Sequence, residues 1–165
     1  MKNTLLITYR QNVVCSDCDA VKEIVDSTGF FSEEESSVAV ELLTERLTKG
    51  EKSSYYFLFA EVHSKIIAYT CFGRISGTAV SFDLFWIVVQ KDFHGHGIGK
   101  EILRKTEEII YQMGGKRIYT ETSSRAIYES TRQFYIRCGY KVQAVLDDFY
   151  APGDSKIIFL KELHG

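Results

Sequence analysis

The sequence predicts a mixed α/β fold, with a mostly antiparallel central sheet of about seven strands flanked by about four helices. Three observations carry that expectation. Residues 97–113 repeat apolar side chains at helical spacing and lie between two apolar runs, 79–90 and 117–122, which is a strand–helix–strand crossover. Residues 55–62 and 66–74 are rich in aromatic and β-branched side chains, and the polar step His63-Ser64-Lys65 joins them as an antiparallel hairpin. A second strand pair, 140–149 and 156–163, flanks Ala151-Pro152-Gly153-Asp154, where Pro followed by Gly marks a type II turn.

The elements follow in order. Residues 4–9 read as a first strand, and 16–27 as a helix with Ser16 as N-cap and Gly29 beyond its end. Ser32 with Glu35 three residues on has the form of a capping box, opening a helix that runs to about Thr48 before Gly50. In the 97–113 helix, Ile98, Ile102, Leu103, Ile109, Ile110 and Met113 fall within an arc of about 140° at 100° per residue. Lys100, Glu101, Arg104, Lys105, Glu107 and Glu108 occupy the other side. Gly114-Gly115 ends it. Residues 126–138 form the last helix, stopped by Gly139.

At 165 residues and 18.9 kDa, with no repeat, linker or low-complexity tract, the chain suits one domain spanning 1–165. Hydrophobic residues at 45% and charged residues at 25% exclude a disordered or collagen-like chain. A net charge of -2 argues against nucleic acid as a partner. No apolar stretch approaches the ~20 residues of a membrane span. Met1–Arg10 is too brief for a signal-peptide core, so the expected location is the cytoplasm. Cys15 and Cys18 form a C-x-x-C, but zinc needs two further ligands at suitable spacing, and the expectation is reduced thiols with no metal.

Chemistry concentrates in the loop His94-Gly95-His96-Gly97-Ile98-Gly99-Lys100, between a buried strand and the amphipathic helix. Glycines let the backbone approach a ligand closely and expose successive N–H groups at a helix N-terminus, where the dipole favours an anion. The loop should cradle a phosphate, most naturally a pyrophosphate. A P-loop would need a hydroxyl after Gly99-Lys100, where Glu101 stands. A dinucleotide fold needs different glycine spacing near its first strand, although Glu121 could mimic its ribose-binding acid. Coenzyme A also presents a pyrophosphate. His94 and His96 are expected to donate N–H groups to phosphate rather than to hold a metal.

The glycine loop, together with Phe134-Tyr135-Ile136-Arg137-Cys138-Gly139-Tyr140, resembles the GNAT superfamily of N-acetyltransferases. The first stretch is similar to that family's Arg/Gln-x-x-Gly-x-Gly/Ala coenzyme motif, with His94 in the Arg/Gln place. The second is similar to its later Tyr-x-x-x-Gly-Phe motif. Tyr128 holds a position where many members carry asparagine. The element order also matches the family over nearly the whole chain. The resemblance implies acetyl-CoA as acetyl donor, bound by the backbone of residues 94–99 and flanked by Val88, Val89, Lys100 and Thr131; Arg132 is a further candidate beside Thr131.

Direct attack of an amine on the thioester, with no covalent enzyme intermediate, sets three requirements. A lysine-like amine is neutral in only about 1 in 2,500 molecules at pH 7, a cost of roughly 4.6 kcal/mol that a base must relieve. Asp83, in an otherwise apolar strand, and Glu121, ending the next strand, are the candidate bases; the resemblance supports each position and does not choose between them. Backbone N–H groups of Val88 and Val89 are candidates for the developing oxyanion. Tyr135 is the acid that the resemblance implies for the departing thiolate.

The expected acceptor is a small-molecule amine, with a protein amino terminus or lysine as alternative and a non-catalytic acyl-CoA sensor as the rival reading. The first 60 residues carry ten acidic and six basic side chains, which would favour a cationic acceptor. Tyr55, Tyr56, Tyr128, Tyr140 and Tyr150 are candidates for an acceptor pocket, and a homodimer is left open.

Overall fold

The computed structural model describes residues 4–165; the first three residues of the Met1–Arg10 stretch lie outside the described residues. The elements are β1 (Thr8–Arg10), α1 (Asp17–Ser27), α2 (Glu33–Lys49), β2 (Tyr56–Val62), β3 (Lys65–Arg74), β4 (Ser81–Val89), α3 (Ile98–Gln112), β5 (Arg117–Ser123), α4 (Glu129–Arg137), β6 (Lys141–Ala151) and β7 (Asp154–Glu162). The seven strands form one sheet in the order β1-β2-β3-β4-β5-β7-β6. The pairs β1–β2, β2–β3, β5–β7 and β6–β7 are antiparallel, and β4–β5 is parallel. The chain packs as two compact units, one holding residues up to Gly73 with Phe85–Thr106, the other Arg74–Leu84 with Glu107–Gly165.

In the first unit, α1 and α2 form where their apolar residues recur at helical spacing. Val21, Ile24 and Val25 of α1 and Ala39 and Leu43 of α2 are buried with Phe57, Phe59, Ile66, Tyr69, Cys71 and Val88 in one core. The α2 N-terminus carries the expected capping box, with Glu35 N–H donating to Ser32 Oγ and Ser32 N–H to Glu35 Oε2. At α1 the expected cap differs. The Ser16 side chain makes no cap hydrogen bond, and the buried Asp17 carboxylate accepts from Val14 N–H instead. The β2–β3 turn is shorter than the sequence suggests: His63 and Ser64 alone make it, with φ of 49° and 63°, the left-handed pair that a two-residue hairpin of matching twist requires. The first strand is shorter too, starting at Thr8 rather than at residue 4.

In the second unit, β7 lies between β5 and β6. Pro152-Gly153 turns the β6–β7 hairpin with Gly153 at φ 80°, as a type II turn needs at its third residue. The expected 126–138 helix divides into a 3-10 turn, Ala126–Tyr128, followed by α4. Lys161 Nζ donates to Glu107 Oε1 and to the Cys138 carbonyl, which satisfies one of the orphan acceptors at the end of α4. Tyr135 packs here against Tyr140 and Phe159, with ring centroids 5.5 and 5.6 Å apart.

Candidate active site

The glycine loop belongs to the first unit. After β4, Gln90 N–H donates to the Ile67 carbonyl, and Lys91–Phe93 make a 3-10 turn. His94 follows at φ -64°, then Gly95 at φ 79° and Gly97 at φ 74°. Both glycines hold left-handed conformations that a side chain would strain, and no atom lies within 4 Å of where a Cβ would project. The loop is thus open on the side the glycines face, and Gly95, His96 and Gly97 are exposed. Gly97 leads into α3; its carbonyl accepts from Glu101 N–H, while Ile98 is buried as the anchor of the first turn. Gly99 and Lys100 are the second and third residues of α3, with Lys100 exposed. Val88, buried, and Val89 end β4.

His94 has a partner that its sequence position did not reveal. Its Nε2 lies 2.7 Å from the Val89 carbonyl oxygen. With Nε2–H donated there, a neutral imidazole offers Nδ1 only as an acceptor, so His94 can donate to a phosphate only as imidazolium.

The candidate acid and bases lie together in the second unit, on opposite faces of the sheet. The parallel register of β4 with β5 runs Ser81↔Arg117, Phe82↔Ile118, Asp83↔Tyr119. Alternation puts Asp83, Tyr119, Glu121 and Ser123 on one face, and Thr120 and Thr122 on the other. Asp83 is half-buried; burial and then the neighbouring Glu121 push its carboxyl above the ordinary range, while Lys156 pulls it down. Glu121 is exposed and paired to Lys156, Nζ to Oε2 3.3 Å. Lys156 Nζ also lies 3.8 Å from the centre of the Phe149 ring and 5.8 Å from that of Tyr150.

Tyr135 covers the opposite face. It is buried, and burial raises its phenol to about 12. Its hydroxyl lies 3.3 Å from Thr120 Oγ1, which is itself 3.3 Å from the Leu84 carbonyl, one residue beyond the last β4–β5 register pair. Thr122 Oγ1 is buried on that same face with no hydrogen-bond partner among the described residues.

Two expectations for side chains nearby are corrected. Arg132 is committed to the backbone: it donates to the Ser123 and Arg125 carbonyls and pairs with Glu129, so it shapes the β5–α4 connection instead of reaching a coenzyme. Tyr140, 3% exposed, is a core residue against Tyr135 and not a pocket wall. Thr131 is half-buried on α4, and Tyr128 lies beneath the Arg125 guanidinium, 5.5 Å from it. Tyr55 and Tyr56 pack in the first unit, Tyr55 edge-on to Phe85 and Tyr56 stacked on Phe72. The sequence reading missed Thr120 and Lys156. Strand alternation around Glu121 was the available signal for Thr120; Lys156 had none, because its approach to Glu121 depends on the β5–β7 register.

The family model for the acetyltransferase (GNAT) domain matches residues 53–142. A solved acetyltransferase of the GNAT family from Desulfovibrio desulfuricans is 37% identical, superposes with a TM-score of 0.94, and aligns over 95% of this chain and 99% of its own. The chain belongs to the GNAT family of N-acetyltransferases. An uncharacterised N-acetyltransferase of Methanocaldococcus jannaschii is 24% identical over 106 residues, a match that spans 64% of this chain and 65% of that relative. At the level of fold alone, the GNAT chain is similar to the PaiA N-acetyltransferase from Thermoplasma acidophilum, solved in complex with coenzyme A, with 20% identity and a TM-score of 0.74 over 96% of this chain and 100% of that one. The four cysteines of this family member are free thiols, with Cys15 exposed and Cys71 buried. Among the described residues, no group of three or more His, Cys, Asp or Glu side chains could hold a metal ion, and no helix is long and apolar enough to cross a membrane.

Proposed function

We propose that the protein transfers the acetyl group of acetyl-CoA to the amine of a small molecule by direct attack. The observation that carries this reading is the pair of left-handed glycines, Gly95 and Gly97, opening α3. Successive φ values of opposite sign turn backbone N–H groups toward a common point, and the helix N-terminus adds a favourable field for an anion. The backbone of residues 94–99 suits the diphosphate of the coenzyme, with Lys100 as added positive charge. The coenzyme A complex of the PaiA relative supports the same ligand.

The other residues supply proton transfer. Asp83 is the better base, because half-burial beside a like charge favours taking up a proton, whereas Glu121 is exposed and held by Lys156. Asp83 takes the ammonium proton of the acceptor, directly or through water. Tyr135 keeps its proton at neutral pH and gives it to the thiolate as that charge forms. Asp83 and Tyr135 stand on opposite faces of the β4–β5 pair, which supports attack from one side and departure toward the other without a covalent enzyme intermediate. Val88 and Val89 N–H groups serve the carbonyl oxygen.

The test is release of free thiol from acetyl-CoA with a panel of primary amines, including the polyamine spermidine, an aminoglycoside and an amino-terminal peptide. Turnover with a small amine and a pattern of intersecting initial-rate lines supports the reading. Tight acetyl-CoA binding without thiol release across the panel supports the acyl-CoA sensor instead.

A further inference from the structure

A threonine hydroxyl has one proton, and Thr120 faces two oxygens. Its Oγ1 stands 3.3 Å from both the Leu84 carbonyl and the Tyr135 hydroxyl. The carbonyl can only accept, whereas the phenol can donate or accept. The single Thr120 proton is within donating reach of both oxygens, and while Tyr135 is neutral the amide carbonyl is the stronger acceptor, so Thr120 O–H donates to Leu84. Thr120 is 5% exposed and Tyr135 4%, so water does not readily replace either bond. The Leu84 carbonyl is the first one past the registered β4–β5 pairs, and it accepts there from the Thr120 side chain.

We propose that Thr120 is a positioning residue whose hydroxyl proton turns from the Leu84 carbonyl to the Tyr135 oxygen when Tyr135 gives up its own proton. The inference rests on the reading of Tyr135 as the acid. The Tyr135 proton leaves for the thiolate, the phenolate left behind can only accept, and Thr120 rotates about its Cβ–Oγ1 bond to donate to it, keeping its own proton. A hydrogen bond to a charged oxygen is stronger than one to a neutral carbonyl, so the exchange favours the phenolate. The titratable groups against Tyr135 are Tyr140 and the Cys138 thiol, with Glu107 and Lys161 beyond Tyr140. Burial drives the phenol upward, and the Thr120 contact works against that rise.

The test does not depend on knowing the acceptor. Tyr135 is replaced by 3,5-difluorotyrosine, whose ring fluorines bring phenol ionisation into a range where the fold persists, and the 19F resonance is followed against pH. Thr120→Val in this background should move the midpoint upward by about half to one pH unit, the worth of one net hydrogen bond. Thr120→Ser, which keeps the hydroxyl, should leave the midpoint in place. Equal midpoints for the Thr120 and Thr120→Val proteins overturn the proposal. So does an upward Thr120→Ser shift of about half a pH unit or more, an outcome that can be read even if the valine variant does not fold. Turnover of Tyr135→Phe separately tests the role of the acid: wild-type turnover there removes that role, whereas a fall there with no fluorine shift removes only that of Thr120.

Discussion

Lys156 Nζ stands 3.3 Å from Glu121 Oε2, and this pairing lowers the negative charge that Asp83 feels on its face of the sheet. Lys156 pulls the Asp83 carboxyl down against the upward push of burial and of Glu121. Removing the ammonium should therefore raise Asp83 further. A base must be deprotonated to act, so activity is lost as pH falls through its titration, and the acid limb of the kcat/KM profile should move to higher pH in Lys156→Met. Lys156→Arg should restore the limb. An unmoved limb in the methionine variant would remove Asp83 from the base's role or Lys156 from its surroundings.

Asp83→Asn should lower kcat by about two to four powers of ten and flatten the acid limb, the usual scale for a lost general base. Glu121→Gln should keep the limb but shift it downward, because one like charge beside Asp83 is gone. The two variants also differ in stability. A carboxyl raised by the fold is destabilising once ionised, so Asp83→Asn should hold or raise Tm at pH 7 while turnover falls. A pH–rate series with parallel thermal melts reads both effects.

The sequence exposed what depends on local spacing. The glycine loop, the capping box at Ser32 and Glu35, the amphipathic α3 and the Pro152-Gly153 turn all lie within a few residues of the partners that define them. What it hid depends on register between distant strands. Lys156 meets Glu121 only because β7 pairs with β5, and Thr120 reaches Leu84 only at the end of the β4–β5 ladder. The α1 cap departs from what residue type suggests: Ser16 has the favoured type but makes no cap bond, while the Asp17 carboxylate turns inward to Arg10. Tyr140 and Arg132 show the same limit: residue type suggested a ligand contact, and tertiary packing gave each a structural partner.

Gly97→Ala separates loop conformation from space. No atom lies within 4 Å of the added Cβ, so the cost is that of a left-handed alanine, about 1 kcal/mol. The fold should survive with a small drop in Tm. The coenzyme should bind at least about tenfold more weakly by calorimetry, since the methyl stands on the open side and the strained loop relaxes away from its N–H geometry. Unchanged acetyl-CoA affinity would remove the backbone of this loop from the coenzyme site.

Arg10 is the electrostatic anchor of the first unit. Its guanidinium makes a two-pronged contact with Asp17, 2.9 Å on each prong, and also reaches Glu61 Oε1 at 2.7 Å. It lies 4.6 Å from the centre of the Phe59 ring. The Asp17 side chain is only 3% exposed, so without Arg10 its charge would be buried with Val14 N–H as its remaining hydrogen-bond donor among the described contacts. Truncating one partner of a buried pair costs about 3 to 5 kcal/mol, most of it from the charge left behind. Arg10→Met should therefore lower the urea midpoint strongly with little change in m-value. Arg10→Met with Asp17→Asn should recover part of the loss, because the amide carries no charge to desolvate. A double variant no more stable than Arg10→Met alone would place the cost in the lost contacts with Glu61 and Phe59 instead.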